Sequence, residues 1–228
     1  MTDTYHDLLK EFYASLEKDD FALWVKNAHE SGKLKAFLPE VDKLWDIPER
    51  TDFHPEGNSG AHTLLVLEAG KDLPAKAKFA LLLHDVGKTT TPQEKWPQHI
   101  GHDKNGVPLV ERICLRLGVS EDYANFAKLV CEHHMKGHNF GQMKAAKLYD
   151  LNELIPTQDF DLFIKCCRSD AVGRGVTNEE QRIKMDESLS AFNIGVHKFE
   201  TLRESFSRYK ALGFDKNATL NKIGHECH

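Results

Sequence analysis

Three leucines lead into an imidazole and a carboxylate in the stretch LLLHDVGK, residues 81–88. Both groups are costly to bury without a partner, which makes His84 and Asp85 the first candidates for chemistry. Ala77, Ala80, Leu81 and His84 keep the i, i+3, i+4, i+7 spacing of one helix face, and Asp85 lies four residues after Leu81 on the same side. Two more groups behave alike. His62 shares a face with Leu65, Val66 and Ala69, and Asp170 falls inside the apolar stripe Phe160, Phe163, Ile164, Cys167, Ala171. Unpaired, each inward aspartate would cost several kcal/mol. No Lys or Arg falls on those faces, so a metal ion is the expected partner. Two imidazoles and two carboxylates suit a six-coordinate divalent ion with positions left for water and substrate. Such an ion lowers the pKa of water enough to supply hydroxide near neutral pH, and the expected chemistry is hydrolysis. A lone histidine on an apolar face is more often a hydrogen-bonded core residue than a ligand, but four such groups on three helices point to a shared partner.

Other polar residues leave alternatives open. Lys88, one turn beyond Asp85, fits a solvated helix end, a hold on the aspartate or a hold on a phosphate oxygen. Of 13 histidines, eight (His54, His62, His84, His99, His102, His133, His134 and His138) lie between positions 54 and 138, a clustering that points to metal chemistry. His133 and His134 cannot be separated by periodicity. The terminal HECH, residues 225–228, has metal-binding composition but sits in a polar end expected to be disordered.

The elements that must position these groups are helical throughout. Period-3.6 patterning dominates, with no sustained period-2 alternation and no repeats, so the fold class is all-α. Helices are expected at about 3–18, 21–30, 60–70 (capped by Ser59), 74–86, 106–117, 120–134 (capped by Ser120), 143–150 and 158–171, with one or two more from Asn178 to Lys210. Residues 89–106 read as a long loop because TTTPQEKWPQHIGHDKNG has three turn signals and no periodicity.

Bulk properties exclude some classes. The 30 Lys and Arg against 35 Asp and Glu give a formal charge of -5, which argues against a general nucleic-acid binder. No apolar run approaches the roughly 20 residues that span a bilayer, and MTDTYHDLLK lacks the features of a signal peptide. The expectation is a cytoplasmic protein with no membrane partner, its five cysteines reduced.

The order His62, His84-Asp85, Asp170 resembles the H…HD…D pattern of the HD-domain phosphohydrolase superfamily. The runs WDIPERTDFHPEGNSGAHTL, LLLHDVGKTTTPQEKWPQHIGHDKNGVPLVERICLRLGV and CEHHMKGH are similar to the HD domain of bacterial multifunctional CCA proteins, which are tRNA nucleotidyltransferases with a C-terminal phosphohydrolase domain. SGKLKAFLPEVDKLWDIP resembles the helical neck that precedes that domain. The resemblance implies a helical bundle around a metal site, with a neck over residues 1–50, the HD core over 51–175 and C-terminal helices with a polar tail over 176–228. The nucleotidyltransferase domain finds no counterpart pattern here, so CCA addition is not expected.

Carried over, the resemblance implies His62, His84, Asp85 and Asp170 as ligands of a divalent metal (Mg, Mn, Ni, Co, Fe or Zn). It offers His102 and His134 as second-metal or substrate-side residues, and prefers His134 over His133. Asp85 and Lys88 are the expected catalytic groups, and Lys88 and Arg174 the expected phosphate contacts. The activities implied are 2',3'-cyclic phosphodiesterase, 2'-nucleotidase and phosphatase, on nucleotides or RNA ends with tRNA as a candidate partner. The rivals are a hydrolase of nucleoside monophosphates or cyclic (oligo)nucleotide signals, and a non-catalytic tRNA- or protein-binding module with a structural metal.

Overall fold

The computed structural model describes residues 2–226, so Cys227 and His228 of the HECH segment lie outside the described residues. The α-helices are α1 (Thr2–Leu16), α2 (Phe21–Glu30), α3 (Lys33–Phe37), α4 (Pro39–Asp42), α5 (Ser59–Ala69), α6 (Ala75–Leu83), α7 (His102–Leu117), α8 (Glu121–Gly137), α9 (Ala145–Leu154), α10 (Phe160–Val172), α11 (Glu179–Ala211) and α12 (Lys216–Glu226). Short 3-10 turns join several of them, and the β-pairing among the described residues is one isolated antiparallel bridge, Pro48 to Asn58. The fold is all-α. Among the described residues, no helix is long and apolar enough to cross a membrane.

Helix α6 is the hub. Ala77 and every residue from Phe79 to Leu83 are fully buried, as a helix that is apolar on all sides requires. Even Lys78 is buried, its ammonium donating to the Lys18 carbonyl at 2.7 Å. Around this hub α1 contributes Phe12 and Leu16, α8 contributes Phe126 and Val130, and α11 contributes Phe192, Phe199 and Phe206 to one continuous apolar core. Cys114, Cys131, Cys166 and Cys167 are free and buried, and burial pushes their thiols up, that of Cys114 to about 11.

Three of the boundaries that differ from the sequence expectation shape the site, each for a physical reason. The cap of α5 is Asn58, whose side chain accepts from Ala61 N at 2.9 Å; the Ser59 hydroxyl is instead given to Glu49 at 2.6 Å. The helix expected to run to residue 86 stops at Leu83, and the chain tightens into a 3-10 turn over Val86–Thr90. Glycine explains that turn. A Cβ on Gly87 would overlap the His102 carbonyl oxygen and the backbone of Gly106, so only Gly lets the turn lie flat on α7. The expected loop is correspondingly shorter, because α7 begins at His102 rather than near 106 and carries Gly106 and Pro108 inside it. What remains of that loop is held by His99, whose ring bonds the Pro48 carbonyl at 2.8 Å and Thr91 Oγ1 at 2.7 Å.

Candidate metal centre

Five elements deliver the polar groups to one place: α5 brings His62, the α6 end and its turn bring His84, Asp85 and Lys88, α7 brings His102, α8 brings His134, and α10 brings Asp170. Asp85 stands in the middle. Its Oδ2 lies 3.2 Å from His84 Nε2, 3.9 Å from His62 Nε2 and 2.8 Å from Lys88 Nζ. Its Oδ1 faces the other way, 3.1 Å from His102 Nε2 and 3.5 Å from His134 Nε2. Asp170 Oδ1 is 3.0 Å from His62 Nε2 and 3.8 Å from His84 Nε2. The separate predictions for His62, His84, Asp85, Asp170, His102 and His134 therefore fall in one cluster. It also decides between neighbours: His134 faces Asp85, whereas His133 accepts from Lys136 Nζ at 3.1 Å.

The imidazoles share one orientation. His84 Nδ1 donates to the Leu81 carbonyl at 2.7 Å, His102 Nδ1 to the His99 carbonyl at 2.9 Å, and His134 Nδ1 to the Val130 and Cys131 carbonyls at 3.1 and 3.0 Å. A carbonyl can only accept, so Nδ1 carries the hydrogen and a neutral ring has its lone pair on Nε2. Each Nε2 points at a carboxylate. His84 Nε2, His102 Nε2 and Asp85 Oδ1 are buried without a hydrogen-bond partner, an expensive arrangement for facing acceptors. A cation held between them would satisfy all three, so the residues present fit a divalent metal. His62, His84 and Asp85 form one group with convergent ligand atoms, and Asp85, His102 and His134 form another.

In comparison with known proteins, residues 60–162 match the HD domain family. The chain carries an HD domain. It is 40% identical over 173 residues to the multifunctional CCA protein of Alkalilimnicola ehrlichii, covering 72% of this chain and 41% of that protein. The protein of the same name from Pseudomonas fluorescens is 35% identical over 191 residues, 81% of this chain and 47% of the relative. That from Methylobacillus flagellatus is 41% identical over 151 residues, 63% of this chain and 36% of the relative. The chain thus spans less than half the length of these relatives. HD domains belong to a superfamily of metal-dependent phosphohydrolases.

The charge balance in the HD centre favours a cation. Glu49, Glu56, Asp85 and Asp170 supply four carboxylates; the Lys88 ammonium meets two of them, Glu49 and Asp85, and the His62 ring meets Glu56 and Asp170. Burial would raise the pKa of Asp85, but Lys88 first, and then His84, His102 and His134, hold it well below the usual carboxylate range. Asp170 is likewise held low against its burial, chiefly by His138 and His62. Burial works against a charged His62 too, yet its bonds to Asp170 and Glu56 raise it to about 9. In the metal-free centre a proton on His62 therefore does part of the neutralising that an ion would do.

Lys88 corrects the expectation that no cation meets the inward carboxylates. Because the helix gives way to a 3-10 turn after His84, Lys88 at i+3 folds back under Asp85 and is committed to Asp85 and to Glu49, 2.6 Å away. Arg174 lines the cavity beside the cluster, its Nη2 3.5 Å from His138 Nδ1.

Sequence reasoning assigned no individual role to four further residues, His138, Glu56, His54 and Glu49. His138 Nε2 is 2.9 Å from Asp170 Oδ2; it follows His134 by four residues, the helical spacing that would have flagged it. Glu56 receives His54 and His62, both at 3.0 Å, and the HPE run carried that signal. Glu49 offers none, because it lies in a Pro- and Gly-rich connection with no periodicity.

Proposed function

We propose that this HD domain is a metal-dependent phosphohydrolase acting on nucleotides or RNA ends, with 2',3'-cyclic phosphodiesterase, 2'-nucleotidase or phosphatase activity. The observation that carries the reading is Asp85 between two pairs of imidazoles, each ring anchored at Nδ1 with its Nε2 turned to a carboxylate. His62, His84, Asp85 and Asp170 would hold one divalent cation, and Asp85 with His102 and His134 offers a place for a second. A bound cation supplies Lewis-acid polarisation of a phosphate oxygen and lowers the pKa of the attacking water.

The chain's own residues do the rest. Lys88 and Glu49 fix Asp85 in place, and the four Nδ1 anchors fix the imidazoles, so the centre is preorganised. Asp85 or an adjacent histidine takes the proton released in the attack. Arg174, a planar fork at the cavity wall, is placed to clamp phosphate oxygens. RNA ends, those of tRNA among them, are the setting that the resemblance to multifunctional CCA proteins implies.

Metal analysis of the purified protein, followed by a screen of phosphate release and ring opening on 2'-, 3'-, 5'- and cyclic nucleotides with Mg, Mn, Ni, Co, Fe or Zn supplied, tests this reading. Activity is expected to require a divalent metal and to vanish in Asp85→Ala. Full activity in that variant would overturn it.

A further inference from the structure

Helix α11 runs for 33 residues, roughly 50 Å at the helical rise. Phe192, Gly195, Phe199 and Phe206 turn one side of it into the core. Ile183, Glu187, Ala191, Ile194, Lys198 and Thr201, at steps of three and four residues, make another face. On it Ile194 is 66% exposed and Ile183 50%. Single exposed isoleucines are ordinary, but this face runs on into an apolar groove of about 590 Å³ between α9, α11 and α12. Leu202, Leu220 and Ile223 line the groove, together with Lys144 and Lys198. The Lys198 ammonium donates to the Gly141 and Met143 carbonyls, both at 2.8 Å, which leaves one of its three N–H groups to give.

These features match themselves in reverse. In an antiparallel pair of α11 helices with the two-fold axis between positions 192 and 193, Ile183 meets Leu202 and the groove of a second copy, Glu187 meets Lys198, and Ala191 meets Ile194. One axis position thus satisfies an apolar, an ionic and a small-to-large pairing, and symmetry gives each of them twice. The charge along the helix follows the same sense: residues 179–190 carry four carboxylates and two cations, residues 197–211 four cations and two carboxylates. Antiparallel packing sets the acidic end of each helix beside the basic end of the other, and the helix dipoles favour the same arrangement. We infer that α11 is the interface of a two-fold homodimer, with Ile183 of each copy seated in the groove of the other. Ser188, which lines the cavity over the metal centre, lies on a different face of α11, so the pairing leaves that centre open. The inference is independent of the reaction assigned to the HD centre.

Sedimentation equilibrium of the whole chain from about 1 to 100 µM, where an interface of modest size dissociates, tests it. Wild type is expected to reach the mass of two chains within that range. Ile194→Asp and Ile183→Asp, both at exposed positions and checked for native helicity by circular dichroism, should each weaken the dimer at least about tenfold, as loss of a central apolar contact does. Glu187→Lys sets two like-charged pairs across the axis and should weaken it at least about threefold at low salt, with the difference shrinking as salt is added. A wild type that stays monomeric at the highest concentration would overturn the proposal, as would a dimer equally tight in both aspartate variants. A dimer indifferent to Glu187→Lys at low salt would overturn the antiparallel register.

Discussion

Glu56 Oε1 lies 3.0 Å from His62 Nδ1, and the same oxygen lies 3.0 Å from His54 Nδ1. The carboxylate is largely buried, which would raise its pKa, but the two imidazoles, and the Gly175 amide on its other oxygen, hold it well below the usual range. A charged acceptor behind a candidate ligand sets the ring's orientation and raises the basicity of its inner nitrogen. Glu56→Gln keeps the shape and removes the charge. Affinity for the metal is expected to fall about 10- to 100-fold, measured by competition with a chelator; unchanged affinity would show that Glu56 does not support His62.

The raised pKa of His62 predicts the pH dependence of metal uptake. Near pH 7.5 the metal-free ring is protonated, its pKa being about 9, and binding a cation must expel that proton. Calorimetry in buffers of different ionisation enthalpy should detect close to one proton released per chain, declining above pH 9. The same shift has a sign for stability. The folded pKa lies above the ordinary imidazole value of about 6.5, so this stabilisation of the metal-free protein is fully present below about pH 6.5 and is lost as pH rises through about 9. The metal-loaded protein should not show that loss. A melting temperature of the metal-free form that stays flat or rises from pH 6.5 to 9.5 would contradict the assignment.

Lys88 is the counter-charge for two buried carboxylates, Asp85 at 2.8 Å and Glu49 at 2.6 Å. Lys88→Met leaves both uncompensated and should cost about 3–5 kcal/mol in urea unfolding of the metal-free protein. Adding Glu49→Gln should recover part of that loss. A cost below about 1 kcal/mol would mean the ammonium is solvated instead.

Adjacent histidines should separate cleanly. His134→Ala removes an Nε2 aimed at Asp85 and is expected to lower metal stoichiometry or affinity, whereas His133→Ala, whose ring is engaged with Lys136, should leave metal binding close to wild type. Elemental analysis of the two variants side by side decides; equal losses would place both rings at the centre.

Gly87 has no room for a side chain against His102 and Gly106. Gly87→Ala must push the 3-10 turn off α7, and a destabilisation of about 1–3 kcal/mol is expected from such overpacking. Metal affinity should drop as well, since the displaced backbone carries Asp85 away from His102. Thermal unfolding with and without metal reads both effects.

Much of this was legible in the linear chain because burial leaves a period. His62, His84 and Asp170 each fall on an apolar helix face, so the sequence alone determined an all-α fold with inward titratable groups on three helices. Those regularities are local: they depend on 3.6 residues per turn and on nothing distant. What lies between helices obeys no period, so the turn at Val86–Thr90, the early start of α7 and the role of Glu49 were out of reach, and the hold of Lys88 on Asp85 stood as one of three readings. Only the tertiary structure decided that His134 rather than His133 faces Asp85, and that Lys88 answers two carboxylates at once. The reason is steric and electrostatic. Which groups meet depends on how closely two backbones approach, here through Gly87 on α7, and a buried charge takes whatever partner that approach brings within reach.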